Sequence, residues 1–220
     1  MSSPSSYVYR PNGRMNVFLD LDNTIINALE ESERQTLSAD FQNQFVHHDL
    51  TAYGMRIYAR PHLEEFLDFL FANFNVHIFT AAEQEYALFI KNKFIENNPH
   101  RRVGFTLFRY HVDLALERYG GMKDMELLFR NFRYAGFYPC NTVILDDLDD
   151  VYKDNPDHTI RIKAFNVLYK SQPNPEAPKD DDLYRMMRVL ANLKERYDHS
   201  SCLSQIYNGR VPLIQSPFDL

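Results

Sequence analysis

Residues 15–24 read MNVFLDLDNT, a short apolar run that turns acidic at its carboxyl end. Runs of four to six apolar residues closed by a polar one suggest strands buried on both faces of a parallel sheet. VHIFT (76–80) and TVILD (142–146) have the same form, and GFTLF (104–108) has it more weakly. Helical patterns lie between them. In 62–74, Leu63, Phe66, Leu67, Leu70, Phe71 and Phe74 fall on one stripe behind Pro61, which loses little by lacking an N–H at a helix start. The spacing predicts a second helix over 83–95, with Tyr86, Phe89, Ile90 and Phe94 inward. It predicts a third over about 123–134, carrying Met125, Leu128, Phe129 and Phe132, and a last one over about 181–194. Strands alternating with helices imply an α/β fold, a mostly parallel sheet with helices on both faces. Such sheets place ligands at the carboxyl ends of their strands.

Two stretches break the pattern. Residues 25–59 hold a polar helical run and then HHDLTAYGMRIYAR, which reads as short irregular strands in an insert beside the first strand. Residues 171–182 form a loop with three prolines. The expected organisation is a loose arm over 1–14, one domain over 15–195 with the insert at about 25–59, and a tail over 196–220. At 220 residues, with 45% hydrophobic and 25% charged residues, the chain can build one core without staples. The net charge of -6 argues against a broad nucleic-acid groove. Two cysteines exclude a disulfide-dense scaffold and suit a reducing compartment. No run is long and apolar enough for a membrane span or a signal core, so cytoplasm or nucleus is expected.

The chemistry starts at Asp20, Asp22 and Thr24. Two close carboxylates repel, and a cation relieves the cost; hard oxygen ligands at a strand end suit Mg²⁺. Taken alone, the string fits an acidic turn as well as a reactive site. Thr80 ends a second strand, where its hydroxyl suits either a helix cap or a phosphoryl oxygen. Lys123 precedes an apolar helix, a position also open to a merely solvated lysine. Asp146 and Asp147 end a third strand, with Asp149 and Asp150 just behind.

In order and spacing these elements resemble the haloacid-dehalogenase (HAD) superfamily of phosphatases. Within it they are most similar to the RNA polymerase II C-terminal-domain phosphatases, also called NLI-interacting-factor-like. The DxDxT motif matches Asp20, Asp22 and Thr24. FTAA with Thr80 matches the second motif, KDM with Lys123 the third, and the Asp146–Asp147 pair the fourth. RPHLEEFLDFL (60–70) resembles the family's arginine-proline helix start, and Arg109 stands in its phenylalanine-arginine slot. The fourth motif departs from the usual pattern, with Leu148 and Asp149 where Ser-Pro commonly follows.

The resemblance implies a HAD-like Rossmannoid three-layer sandwich and a Mg²⁺-dependent phosphatase working through an aspartyl-phosphate. Asp20 would be the nucleophile and Asp22 the acid and base, with Thr80 and Lys123 on the phosphoryl group. Thr24 would brace the first motif, and Arg109 would contact substrate. Asp20, the backbone carbonyl of Asp22, Asp146 and, through water, Asp147 would hold the metal. The implied partner is a phosphorylated protein or peptide. The alternatives are a nucleic-acid end, a small metabolite, or a peptide-binding scaffold without turnover.

Overall fold

The computed structural model describes residues 13–200. Most of the expected arm and most of the expected tail lie outside these residues. Strand β1 (Asn16–Leu19) opens the domain, and β5 (Asn75–Phe79), β6 (Thr106–Leu107), β7 (Thr142–Asp146) and β8 (Thr159–Arg161) join it. The order is β6-β5-β1-β7-β8, and every pairing is parallel. The weak strand expected over 104–108 shrinks to the two residues of β6, at the sheet edge.

Alternation along β1 explains why its run is continuously apolar. Val17 and Leu19 face one layer, while Phe18 faces the other. The first layer is built by α3 (Leu63–Asn73), α4 (Gln84–Ile90) and α8 (Asp182–Ser200). The second is built by α5 (Arg109–Tyr119), α6 (Glu126–Asn131) and α7 (Asp149–Asp154). The result is a three-layer α/β/α sandwich. In the second layer Phe18 stacks on His77 at 4.7 Å and meets the edge of Phe137 at 5.1 Å. Full burial of one such ring is worth about 2–3 kcal/mol. His77 is buried there, and desolvation holds its pKa down at about 3, so it stays neutral.

Several helices depart from the spacing. The helix expected over 123–134 starts only at Glu126, because Lys123 takes a left-handed backbone and Asp124 caps the start by accepting from the Glu126 N–H at 2.9 Å. Helix α5 went unread, since only Val112 and Ala115 on it are buried and its apolar stripe is thin. The second helix continues past α4 as a π-helical turn, Lys91–Ile95. The last helix runs on to Ser200.

The irregular strands expected in the insert are regular. Strands β2 (Ile26–Glu30), β3 (His47–Leu50) and β4 (Met55–Ala59) form an antiparallel sheet in the order β2-β4-β3. Short helices α1 (Glu31–Arg34) and α2 (Ala39–Gln42) connect β2 to β3. Leu29, Leu37, Phe45 and Tyr58 of this unit pack with Phe165, Val167 and Ala177, which flank a hairpin of β9 (Leu168–Tyr169) and β10 (Gln172–Pro173). The insert's core is therefore completed by residues far along the chain, which no local pattern displays. Among the described residues no helix is long and apolar enough to cross a membrane.

Candidate active site

The strand order makes β1 the switch point. The chain leaves β1 for β5 and β6 on one side, then returns to β7 and β8 on the other. Crevices at such points, beyond the carboxyl ends of the strands, are where open α/β sheets bind ligands. Leu19 is level with Ile78 on one side and Leu145 on the other. The next residues, Asp20 and Asp146, therefore stand side by side. Thr80 ends the neighbouring strand at the same edge.

After Asp20 the strand does not continue. The N–H groups of Thr24, Ile25 and Ile26 all turn back to the Leu21 carbonyl, at 3.3, 3.0 and 3.1 Å, and Asn23 is left-handed with φ 59°. This tight turn brings Thr24 over Asp20. The Thr24 hydroxyl lies 3.0 Å from Asp20 Oδ2 and 3.1 Å from Asp147 Oδ1, so one donor braces two carboxylates. The buried Lys123 ammonium donates to Asp20 Oδ1 and, at 2.7 Å, to Asp146 Oδ2. Both oxygens of Asp20 are thus occupied, one by a cation and one by a hydroxyl.

Asp20, Asp146 and Asp147 each offer an oxygen within 4.8 Å of the others. Asp22 is not in this trio. Its carboxylate is turned to Tyr86, whose hydroxyl donates to Asp22 Oδ1 at 2.5 Å. Thr80 is buried, and its Oγ1 accepts from the Ala82 N–H at 3.1 Å, which leaves the hydroxyl proton for another acceptor. Arg109 starts α5 beside the same loop, its N–H on the Ala82 carbonyl at 2.8 Å. Its half-exposed guanidinium lies 3.9 Å from Glu83 and does not reach the carboxylates. Asp149 and Asp150 stand apart, paired on the surface with Arg161 and Lys153.

The charges do not balance. Four carboxylates share one ammonium. Burial, joined by the Asp20 charge, pushes Asp146 up to about 7 even though Lys123 touches it. Burial also raises Asp22 to about 6, against the Tyr86 hydrogen bond, and raises Asp147. Lys123 is raised as well: burial opposes its charge, but Asp20 and Asp146 outweigh burial. A set of oxygen donors with surplus negative charge fits a hard divalent cation such as Mg²⁺.

The sign of the Asp146 shift gives a test. Its folded pKa lies above the ordinary 3.8, so its contribution favours folding at low pH and is lost as pH rises through about 7. In chelator, the melting temperature of wild type should fall relative to Asp146→Asn between about pH 4 and pH 7 and level off above. The lowered histidines are common to both proteins and cancel. Thermal melts across this range check it; a wild-type advantage that grows with pH would mean that Lys123 outweighs burial.

Two neighbours escaped sequence reading. Tyr86 read as a core residue, and it is buried, but its hydroxyl sits on Asp22. Arg60 was visible only as part of the RP string. It is buried, donates to the Thr24 carbonyl at 2.9 Å, and pairs with Asp180 through two bonds of 2.7 and 2.9 Å.

The profile of the NLI interacting factor-like phosphatase family matches residues 15–200. CTD phosphatase-like protein 355R of Invertebrate iridescent virus 6 is 36% identical over 182 residues, covering 80% of this chain and 96% of that protein. CTD nuclear envelope phosphatase 1 of Xenopus tropicalis is 26% identical, covering 85% of this chain and 70% of that protein. The solved structure of Fcp1, an essential RNA polymerase II CTD phosphatase, superposes with a TM-score of 0.59 at 18% identity, covering 91% of this chain and 68% of that one. That likeness bears on the fold, while the profile and the viral relative decide the family. The chain belongs to the NLI interacting factor-like phosphatases, a CTD phosphatase-like branch of the HAD superfamily.

Proposed function

We propose that the protein is a Mg²⁺-dependent phosphatase that hydrolyses phosphoserine or phosphothreonine in protein through an aspartyl-phosphate. The observation that carries this reading is the contrast between two carboxylates two residues apart. Asp20 is held on both oxygens by Lys123 and Thr24, oriented at the switch point of the sheet. Asp22 is half-buried against Tyr86, and desolvation raises its pKa to about 6, close to where a group that both gives and takes a proton works best.

In the first step an Asp20 oxygen bonds to phosphorus as the bond from phosphorus to the seryl or threonyl oxygen breaks. Protonated Asp22 gives its proton to that leaving oxygen. In the second step Asp22, now ionised, takes a proton from water as the water oxygen bonds to phosphorus; inorganic phosphate leaves and the Asp20 carboxylate is restored. The Thr80 hydroxyl and the Lys123 ammonium hold the phosphoryl oxygens as charge gathers on them. Asp20, Asp146, the carbonyl of Asp22 and, through water, Asp147 would hold Mg²⁺. When bound, the ion supplies Lewis-acid charge that offsets the meeting of an anionic substrate with a carboxylate.

The relatives' names support a phosphorylated C-terminal domain as the substrate class, and the nuclear-envelope relative supports the nuclear side of a cytoplasmic or nuclear setting. A side-by-side assay with Mg²⁺ tests this, using a small aryl phosphate, phosphoserine peptides and 5′-phosphorylated oligonucleotides. Peptide kcat/KM should exceed the oligonucleotide value by about 100-fold or more, a difference of roughly 2.7 kcal/mol in transition-state binding. The reverse order would assign the site to nucleic-acid ends. No turnover of any substrate would leave a scaffold.

A further inference from the structure

Asn155, at the end of α7, holds the backbone at the carbonyl of Lys123 and just after it. Its Nδ2 donates to the Lys123 carbonyl at 3.3 Å and to the Val151 carbonyl at 3.0 Å, and its Oδ1 accepts from the Met125 N–H at 2.8 Å. The side chain is buried among these partners. Next to it, Asp154 Oδ2 accepts from the Met122 N–H at 2.8 Å. The residue so clamped is strained: Lys123 is left-handed, with φ 54°. Residues other than glycine persist there only where the surroundings over-determine the backbone. The loop also lies unusually close to α7, since a Cβ added at Gly121 would come within 3.0 Å of the Asp154 side chain.

Helix α7 begins two residues after Asp147. One continuous unit, β7 followed by α7, therefore presents Asp146 at its strand end and grips the Lys123 loop from its helix end. A carboxamide is the group this grip calls for. It must donate to one backbone carbonyl and accept from the N–H two residues on, which a carboxylate cannot do and a hydroxyl is too short to span.

We propose that Asn155 is a positioning residue for phosphoryl transfer: its carboxamide fixes the left-handed backbone of Lys123, so that the ammonium stands between Asp20 and Asp146 before substrate arrives. The inference rests on the phosphatase reading above. It is tested with Asn155→Asp, which keeps the size and the acceptor but loses the donor, and with Asp154→Ala at the exposed end of the clamp.

Turnover of an aryl phosphate with Mg²⁺ and direct orthovanadate binding by titration calorimetry are measured for both variants, for Lys123→Met and for the Lys123→Met/Asn155→Asp double variant. Asn155→Asp should lower kcat/KM about 30-fold and vanadate affinity about 10-fold, as expected for a catalytic group displaced by a fraction of an ångström. Asp154→Ala should lose about 3-fold. In the Lys123→Met background, Asn155→Asp should change vanadate affinity less than about 2-fold, because the group it positions is gone. Additive losses in the double variant would mark a general structural effect and overturn the proposal. So would full activity in a folded Asn155→Asp, or, if that variant does not fold, full activity in Asp154→Ala. A wild type without turnover would sink the phosphatase reading alone; the vanadate cycle needs no turnover and would still decide how Lys123 is placed.

Discussion

Asp20→Asn should lower aryl-phosphate turnover by about 10⁴-fold or more and leave the fold intact, the scale seen when a covalent nucleophile is removed. An amide is a poor nucleophile, and no neighbouring carboxylate can replace it. Asp146 is committed to Lys123 and to the Leu148 N–H at 2.9 Å, and Asp147 lies across the Thr24 hydroxyl. Stability should respond in the opposite sense to activity. Asparagine keeps the shape of the side chain and an oxygen for Lys123, while one negative charge leaves a cluster that holds too many. In chelator the variant should therefore melt no lower than wild type. Rates and melts on the same samples separate the outcomes. Equal turnover in both proteins would remove Asp20 from the chemistry. A lost rate together with a large fall in melting temperature would assign the loss to folding instead.

Arg60→Met should cost about 3–5 kcal/mol, the usual result of removing one partner of a buried ion pair. For a chain of this size that is a fall in melting temperature of about 6–20 °C. The guanidinium is fully enclosed and uses its planar fork in several directions at once. It reaches Asp180 through two bonds, Asp182 at 3.4 Å and the Thr24 carbonyl at 2.9 Å, and lies 5.5 Å from the centre of the Phe165 ring. Methionine fills much of the volume but leaves Asp180 and Asp182 facing an apolar gap. Arg60→Lys should fall between the two, because an ammonium keeps the charge but cannot make the paired bonds to Asp180. Urea unfolding of the three proteins measures the differences. A melting temperature within about 2 °C of wild type for Arg60→Met would show that the buried pair is dispensable. Turnover should fall beyond the loss of folded protein, since the Thr24 turn that braces Asp20 and Asp147 hangs from this arginine.

How much of the site could be read in advance follows from the range of the forces involved. Asp20, Thr80 and Asp146 were legible as strand ends because a strand buried on both faces must be apolar throughout and can turn polar only where it leaves the sheet. Helix α3 was legible because its whole inward stripe lies in one stretch of sequence. Helix α5 was not, since its neighbours supply most of the burial there. The start of α6 was misplaced by the left-handed Lys123, a conformation that no side-chain pattern announces in a residue other than glycine. The insert looked irregular because three of the seven buried residues that order it, Phe165, Val167 and Ala177, arrive more than a hundred residues later.

Local patterning and motif spacing by themselves determined the layer architecture and the set of chemically able side chains, because burial period and residue type are properties of short segments. Only the tertiary structure decided how those side chains meet. Asp22 turns to Tyr86, Thr24 bridges Asp20 and Asp147, Lys123 lies between Asp20 and Asp146, and Arg109 stays outside. Each of these contacts except that of Thr24 with Asp20 joins residues from separate strands, helices or loops. Their distances depend on sheet register and on the balance between desolvation and charge, and both exist only once the layers have closed.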